Sequence, residues 1–383
     1  MGTKSNFSLF IVVVSVALIS AHARASYLFT KTVAASGTIV YHTYIVTTLT
    51  ELADVAGRVI PGDTVRIRGG IYQPTSLAIR FIVSGMPNQP ITWEAYPGEK
   101  VIFDGSDFTG AEEGWPPGSW QPAMMIARVS RNIFRNFEIR NNQIGMGFLL
   151  AGDDNIYDNI ETHHHAGLGL FAEGNRNLIL KVHAHHCVDP QDSPPGGDAD
   201  GIEVTRGSGN IVRSCLSHHN SDDGFDTWDS TDTLVEKCVA YSNGLLQGDG
   251  NGFKLGIGTG NRAVKCVAYN NTDAGFIPNT GTLVVIDHCT GWNNSLIDYQ
   301  NWVGDEQVTY SNNIGTFYKE VEPTEINNSW NLGITDPRFI STDPASSDFL
   351  SLRADSPCRG KASDGSDIGA LQYGERISDL LGT

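Results

Sequence analysis

From about residue 145 onward, short apolar runs alternate with polar turns at a recurring spacing. A glycine followed by an apolar residue opens one run in each unit: Gly147-Phe148, Gly169-Leu170, Gly201-Ile202, Gly224-Phe225, Gly252-Phe253 and Gly275-Phe276, with gaps of 22, 32, 23, 28 and 23 residues. A second column, Ile160, Val182, Cys215, Cys238, Cys266 and Cys289, steps by 22, 33, 23, 28 and 23, so both keep one register. A period of 22 to 23 with occasional insertions marks a solenoid. Within a unit a second strand follows near Asn155-Ile156, Asn177-Leu178, Asn210-Ile211 or Thr233-Leu234, and a third runs through the cysteine column. Three strands and three turns fill such a unit, whereas helical repeats would need longer apolar faces at 3.6 spacing. The pattern predicts an all-β fold, a parallel β-helix forming a single domain over residues 26–383, with regular coils from about 125 to 320 and capping segments at both ends.

Polar columns keep the same register. Five residues after the third-strand column stand His165, Cys187, Asn220, Asn243, Asn271 and Asn294, an amide ladder able to hydrogen-bond from coil to coil. Three residues after it stand His163, His185, His218, Tyr241, Tyr269 and Trp292. The histidine clusters at 163–165, 183–186 and 218–219 suggest zinc, but most of these histidines occupy positions filled by Tyr or Trp in later coils, which favours stacking over metal ligation. Cys215, Cys238, Cys266 and Cys289 read as an inward column of small hydrophobes, with bridges between stacked pairs left open as an alternative. Ahead of the coils, Thr50 to Val59 predicts a short capping helix with Thr50 as its N-cap, leading into a first strand over Gly62 to Tyr72. The tail from Asp336 to Gly374 is expected to pack along the solenoid or cap its other end.

The balance of 43 acidic against 26 basic residues, a net charge of −17 over 383 residues, argues against nucleic acid or anionic lipid as a partner; a polyanionic ligand would need a mediating cation. A Lys at position 4, an apolar run from Phe7 to Ile19 and small residues fitting cleavage after Ala23 or Ala25 predict a secretory signal peptide over residues 1–25. That run is shorter than the roughly 20 residues of a membrane span. The mature chain is therefore expected to be exported, soluble and monomeric. Asn270, Asn293 and Asn327 head glycosylation sequons should the host be a eukaryote.

The stretch from Asn220 to Asp229 puts four aspartates into ten residues. Registered on their glycines, the coils set Asp200 below Asp223, and strand alternation points Glu203, Asp226, Lys254 and Ile277 outward in one column. The insertions between Val182 and Gly201 and between Cys238 and Gly252 fall on the same edge and would wall a cleft over the patch. Asp200, Asp222, Asp223 and Asp226 thus converge from adjacent coils, with Lys254 about 4.8 Å beyond. Such oxygen ligands suit Ca²⁺, either as a structural clamp or in a functional site.

The motifs DADGIEV, NSDDGFDTWDS and NGFKLG resemble those of the family-nine polysaccharide lyases, the calcium-dependent pectate lyases with a right-handed parallel β-helix. The likeness spans about Asp198 to Asn294 and touches GDTVRIRGGIY, ITWEAYPGEKVIFDG and the terminal DIGALQYG. It implies calcium bound by Asp200, Asp222, Asp223 and Asp226, Lys254 as the Brønsted base, and an acidic polysaccharide, polygalacturonate (pectate), as substrate. The expected reaction is calcium-assisted β-elimination, with burial and the ion both expected to lower the pKa of Lys254. The spacing from Asp226 to Lys254 looks shorter than in those lyases. Rival readings are a lyase or epimerase on another uronan such as alginate, a polygalacturonase-type hydrolase, and a non-enzymatic adhesin.

Overall fold

The structure, a computed structural model, describes residues 12–16, 29–33, 40–111, 122–305 and 307–382. Apart from the strand Val12–Val16, the expected leader over residues 1–25 lies outside the described residues.

Ten strands, from Ile79–Phe81 to Phe317–Lys319, stack in sequence order into one parallel sheet. The remaining strands form a second, larger sheet that is parallel from Val40–Val46 onward. In that sheet each coil bends between strand pairs such as Ile211–Arg213 and Leu216–His218. The bend residues Lys181, Ser214, Lys237, Lys265 and His288 all have φ near +50°. Successive coils therefore superpose, which makes the chain a parallel β-helix. Its paired coils begin earlier than the glycine period reveals, since Ile79–Phe81 already pairs with Met125–Arg128.

The glycine column follows from the amide ladder. A Cβ on Gly224 would sit 2.8 Å from Asn243 Nδ2 and 2.7 Å from the Gly252 carbonyl oxygen, and Gly252 repeats this against Asn271 and Gly275. Asn220, Asn243, Asn271 and Asn294 are linked Nδ2 to Oδ1 at 3.0, 3.0 and 2.9 Å. The next residue of each unit points inward: Phe225, Phe253, Phe276 and Tyr299 stack face to face at 4.8 to 5.0 Å. All six cysteines are free, so the cysteine column is apolar filling. Its thiols also accept backbone N–H groups, as from Cys215 to Cys238 Sγ at 3.4 Å.

The capping helix spans Leu49–Ala56, and its N-cap is Thr48 rather than Thr50. Thr48 Oγ1 accepts from Glu51 N, and the Glu51 carboxylate reaches back to Thr47 N. The T-x-x-E signature thus starts two residues before the predicted cap. Buried Leu52 and Val55 join the core beside Phe81, so the helix covers the first strand of the ten-stranded sheet.

The tail runs along the flank rather than over the end. Gly369 N donates to Asn312 O, Ala370 N to Thr290 Oγ1, and Ser214 Oγ to Leu380 O. Phe349, Leu350, Leu371 and Leu380 bury against Val239, Val267 and Tyr269. Among the described residues no helix is long and apolar enough to cross a membrane.

Candidate active site

The three strands Ile202–Thr205, Phe225–Asp226 and Phe253–Lys254 lie side by side, pairing Glu203 with Asp226 and Asp226 with Lys254. Because Phe225 and Phe253 fill the interior, Asp226 and Lys254 face outward. Asp200, Asp222 and Asp223 come from the turns that feed these strands. One carboxylate oxygen from each of the three lies within 4.8 Å of the others. Asp200 Oδ1 accepts from Asp223 N at 2.9 Å, which locks the two turns together. Lys254 Nζ stands 3.2 Å from Asp223 Oδ2 and 3.7 Å from Asp226 Oδ2.

The outward positions are not solvated, as strand alternation alone would suggest. Asp223 is fully buried and Asp200, Asp222 and Asp226 are each 5% exposed. The two insertions explain this. Gln247 N donates to Pro195 O at 2.9 Å, so they meet across the coil between them, and Ser221 Oγ ties that coil to Gly196 O. The second insertion also supplies Asp249, which sequence reasoning missed. Its N–H donates to Asp222 Oδ1 at 2.7 Å and its carboxylate accepts from Lys254 Nζ at 2.9 Å. Asn251, likewise unassigned, donates to Asp223 Oδ1 from both its backbone and its side chain, at 2.6 and 2.9 Å. The only sequence signal for either was their place just ahead of Lys254 in NGLLQGDGNGFK. The indole of Trp228, 43% exposed, has its ring centre 5.9 Å from Lys254 Nζ.

Burial and mutual repulsion raise Asp200 and Asp226 well above the usual carboxylate range, and Asp222 to about 9. Glu203, buried beside Asp226, rises to about 7, mainly by desolvation. For Lys254, burial is the largest single influence and pushes the pKa down, but Asp223, Asp226, Asp200 and Asp249 together outweigh it. The net shift is upward, against the expected lowering, because the neighbouring negative charge favours the ammonium.

These residues fit a bound cation. Asp226 Oδ1 is buried and accepts no hydrogen bond, Asp223 Oδ2 is buried with the Lys254 ammonium 3.2 Å away, and four buried carboxylates face a single ammonium. Orphaned, closely spaced carboxylate oxygens are the ligands that a hard divalent ion takes. The histidine clusters, by contrast, lie on the other sheet. His163, His185, His218, Tyr241 and Tyr269 stack in sequence at 4.7, 5.0, 4.5 and 4.8 Å, as the ladder reading predicts.

Comparison with known proteins agrees with this architecture. Residues 32–313 match the family described as Pel9A-like, right handed beta helix region. Pectate lyase PEL9 of Emericella nidulans is 28% identical over 74% of this chain and 79% of that protein. Pectate lyase L of Paenibacillus polymyxa is also 28% identical, over 85% of this chain and 77% of that protein. The crystal structure of pectate lyase Pel9A superposes with a TM-score of 0.69 at 24% identity, covering 84% of this chain and 90% of that one. The chain belongs to the Pel9A-like right-handed β-helix family, the family-nine polysaccharide lyases whose motifs it carries, and is an enzyme of that class.

Proposed function

We propose that this enzyme is an extracellular pectate lyase that cleaves polygalacturonate by β-elimination, with Lys254 as the base and calcium held by Asp200, Asp222, Asp223 and Asp226. The observation that carries the reading is one amine set among buried, under-bonded carboxylates in a cleft walled by two joined insertions. Bound there, calcium would stabilise the negative charge that develops on the uronate carboxylate and cancel the field that favours the protonated lysine. The neutral amine of Lys254 takes the proton α to that carboxylate. The electron pair then forms the double bond as the 4-O substituent leaves, so no water is consumed. Asp249 and Asp223 hold Nζ in place. The half-exposed face of Trp228 offers a sugar ring an apolar surface beside Lys254. A hydrolase would instead need an acid and a base placed about its scissile bond and would have no use for the lysine. A uronan with a different backbone is the second reading, since the proton abstraction is shared.

The test is formation of unsaturated product from several uronans, with and without chelator, by wild type and Lys254→Ala. The alanine variant should lose about 10²–10⁴-fold in rate while still binding calcium and oligogalacturonate. Lys254→Arg should be nearly as inactive, because a guanidinium resists deprotonation. An alanine variant that keeps an appreciable fraction of the rate would refute the base assignment.

A further inference from the structure

On the larger sheet, away from the lyase cleft, Glu161 lies directly opposite His183 in the next coil, and His163 opposite His185. Strand alternation puts His183 and His185 on one face, and both turn a ring nitrogen toward the same carboxylate oxygen. His185 Nε2 is 3.4 Å and His183 Nδ1 4.0 Å from Glu161 Oε1. The His185 contact is a long hydrogen bond, beyond the typical 2.7–3.2 Å, and the His183 contact is out of hydrogen-bond range. They sit near the roughly 3.3 Å that separates two donors on one tetrahedral zinc ion with bonds of about 2.0–2.1 Å.

The remaining nitrogens are already engaged. His185 Nδ1 is 2.8 Å from His186 Nδ1, and His183 Nε2 is 2.8 Å from His218 Nε2. Each contact holds one proton. In the tautomer in which His185 and His183 donate to those partners, their other nitrogens present lone pairs to a carboxylate that is itself an acceptor, an arrangement that a cation between them resolves; in the opposite tautomer His185 Nε2 donates to Glu161 directly. Imidazoles whose second nitrogen is held in this way are oriented as metal ligands commonly are. The coil before shows why the site falls here. Glu138, in register with Glu161, is taken by Lys100 and Arg140, whereas Glu161 is 41% exposed and faces the imidazoles. A groove of about 650 Å³, lined by Glu138, Glu161, Lys181 and His183 among others, gives access from solvent.

We propose that Glu161, His183 and His185 form a binding site for a divalent transition-metal ion of the zinc class, bridging two adjacent coils. Two imidazoles and one carboxylate match the preferences of zinc rather than calcium, so this site is independent of the carboxylate cleft. It coexists with the stacked ladder, which leaves the ligating nitrogens at the ring edges.

The experiment is calorimetric titration of the whole protein with zinc chloride in calcium-saturated buffer, repeated with cobalt(II) while following its visible absorption. One ion per chain is expected, with a cobalt spectrum of low coordination number. Glu161→Gln and His183→Gln should each weaken binding by at least about tenfold, and His164→Gln should leave it unchanged. Circular dichroism checks that all three variants fold. Absence of saturable binding would overturn the proposal, as would binding unaffected by Glu161→Gln and His183→Gln. Loss in His164→Gln alone would also overturn it, by placing the ion on His163, His164 and His185.

Discussion

At the scale of single residues, the cleft concentrates like charge that Lys254 offsets in part and that a bound cation or protonation would relieve. Asp226 makes this plainest, since one of its oxygens has no hydrogen bond and the other faces Lys254. Asp226→Asn should therefore weaken calcium binding and activity together, by about tenfold or more, with little loss of fold. Calorimetry showing unchanged calcium affinity would contradict this. Asp223 is a poorer probe, because its other oxygen anchors Asn251. Asp249 tests the field on the base. It is 62% exposed and helps to raise the pKa of Lys254, so Asp249→Asn should ease deprotonation. The alkaline rise of the pH–rate profile should then move to lower pH by a few tenths of a pH unit. A shift to higher pH, or none, would mean that Asp249 only positions the loop. Position along the chain was enough to bring Asp200, Asp222, Asp223, Asp226 and Lys254 together, because the outward column of Asp226 and Lys254 depends only on strand register and the turns that carry the other three feed the same strands. Asp249 and Asn251 were not legible, since they sit in an insertion whose path has no period.

Among the elements, the ladders carry the stability. Asn243 is fully buried, accepts from both the backbone and the side chain of Asn220, and donates to Asn271. Asn243→Ala would strand the buried Asn220 N–H and leave Asn220 Nδ2 and Asn271 Oδ1 with one partner fewer each, Ser217 Oγ and the Asn243 N–H remaining, at a cost of about 1–3 kcal/mol, measurable by urea unfolding. The histidine ladder behaves differently. Burial holds His218 down to about 3, and His183, His219 and His186 add repulsion. A base with a depressed folded pKa is neutral in the fold but takes a proton when unfolded, so stability is present above the ordinary value of about 6.5 and is lost as pH falls toward 3. His218→Tyr continues the stack from Tyr241 and removes one such group. Unfolding compared at pH 7 and pH 5 in zinc-free buffer should show the acid penalty reduced by up to about 2 kcal/mol. An unchanged penalty would show that His218 titrates normally. The amide and aromatic ladders could be read from the sequence because each column repeats one residue type in one chemical environment. Thr48 escaped because caps are local choices among nearby threonines, and Thr50 offered the same chemistry two residues later.

For the whole molecule, the period made the coil stack legible but not what covers it. The insertions were correctly placed on one edge, yet burial of the carboxylates arises from their meeting through Gln247 and Pro195, a contact between two aperiodic loops. For the tail, packing along the solenoid was one of two expectations, and its course was not legible, since DIGALQYG has no partner in the repeat. Its course has a consequence for how the protein is made. A bare solenoid can grow coil by coil, each new turn docking on the one just completed. Here residues synthesised after the coils run back from Asn312 past Thr290 and Tyr269 to Ser214, against coils made earlier, by 80 residues at Thr290 and 166 at Ser214. Those coils keep an uncovered apolar strip around Val239 and Val267 until the tail emerges. Vectorial assembly during synthesis thus stops one step short, and the flank closes only after the tail's residues have left the ribosome.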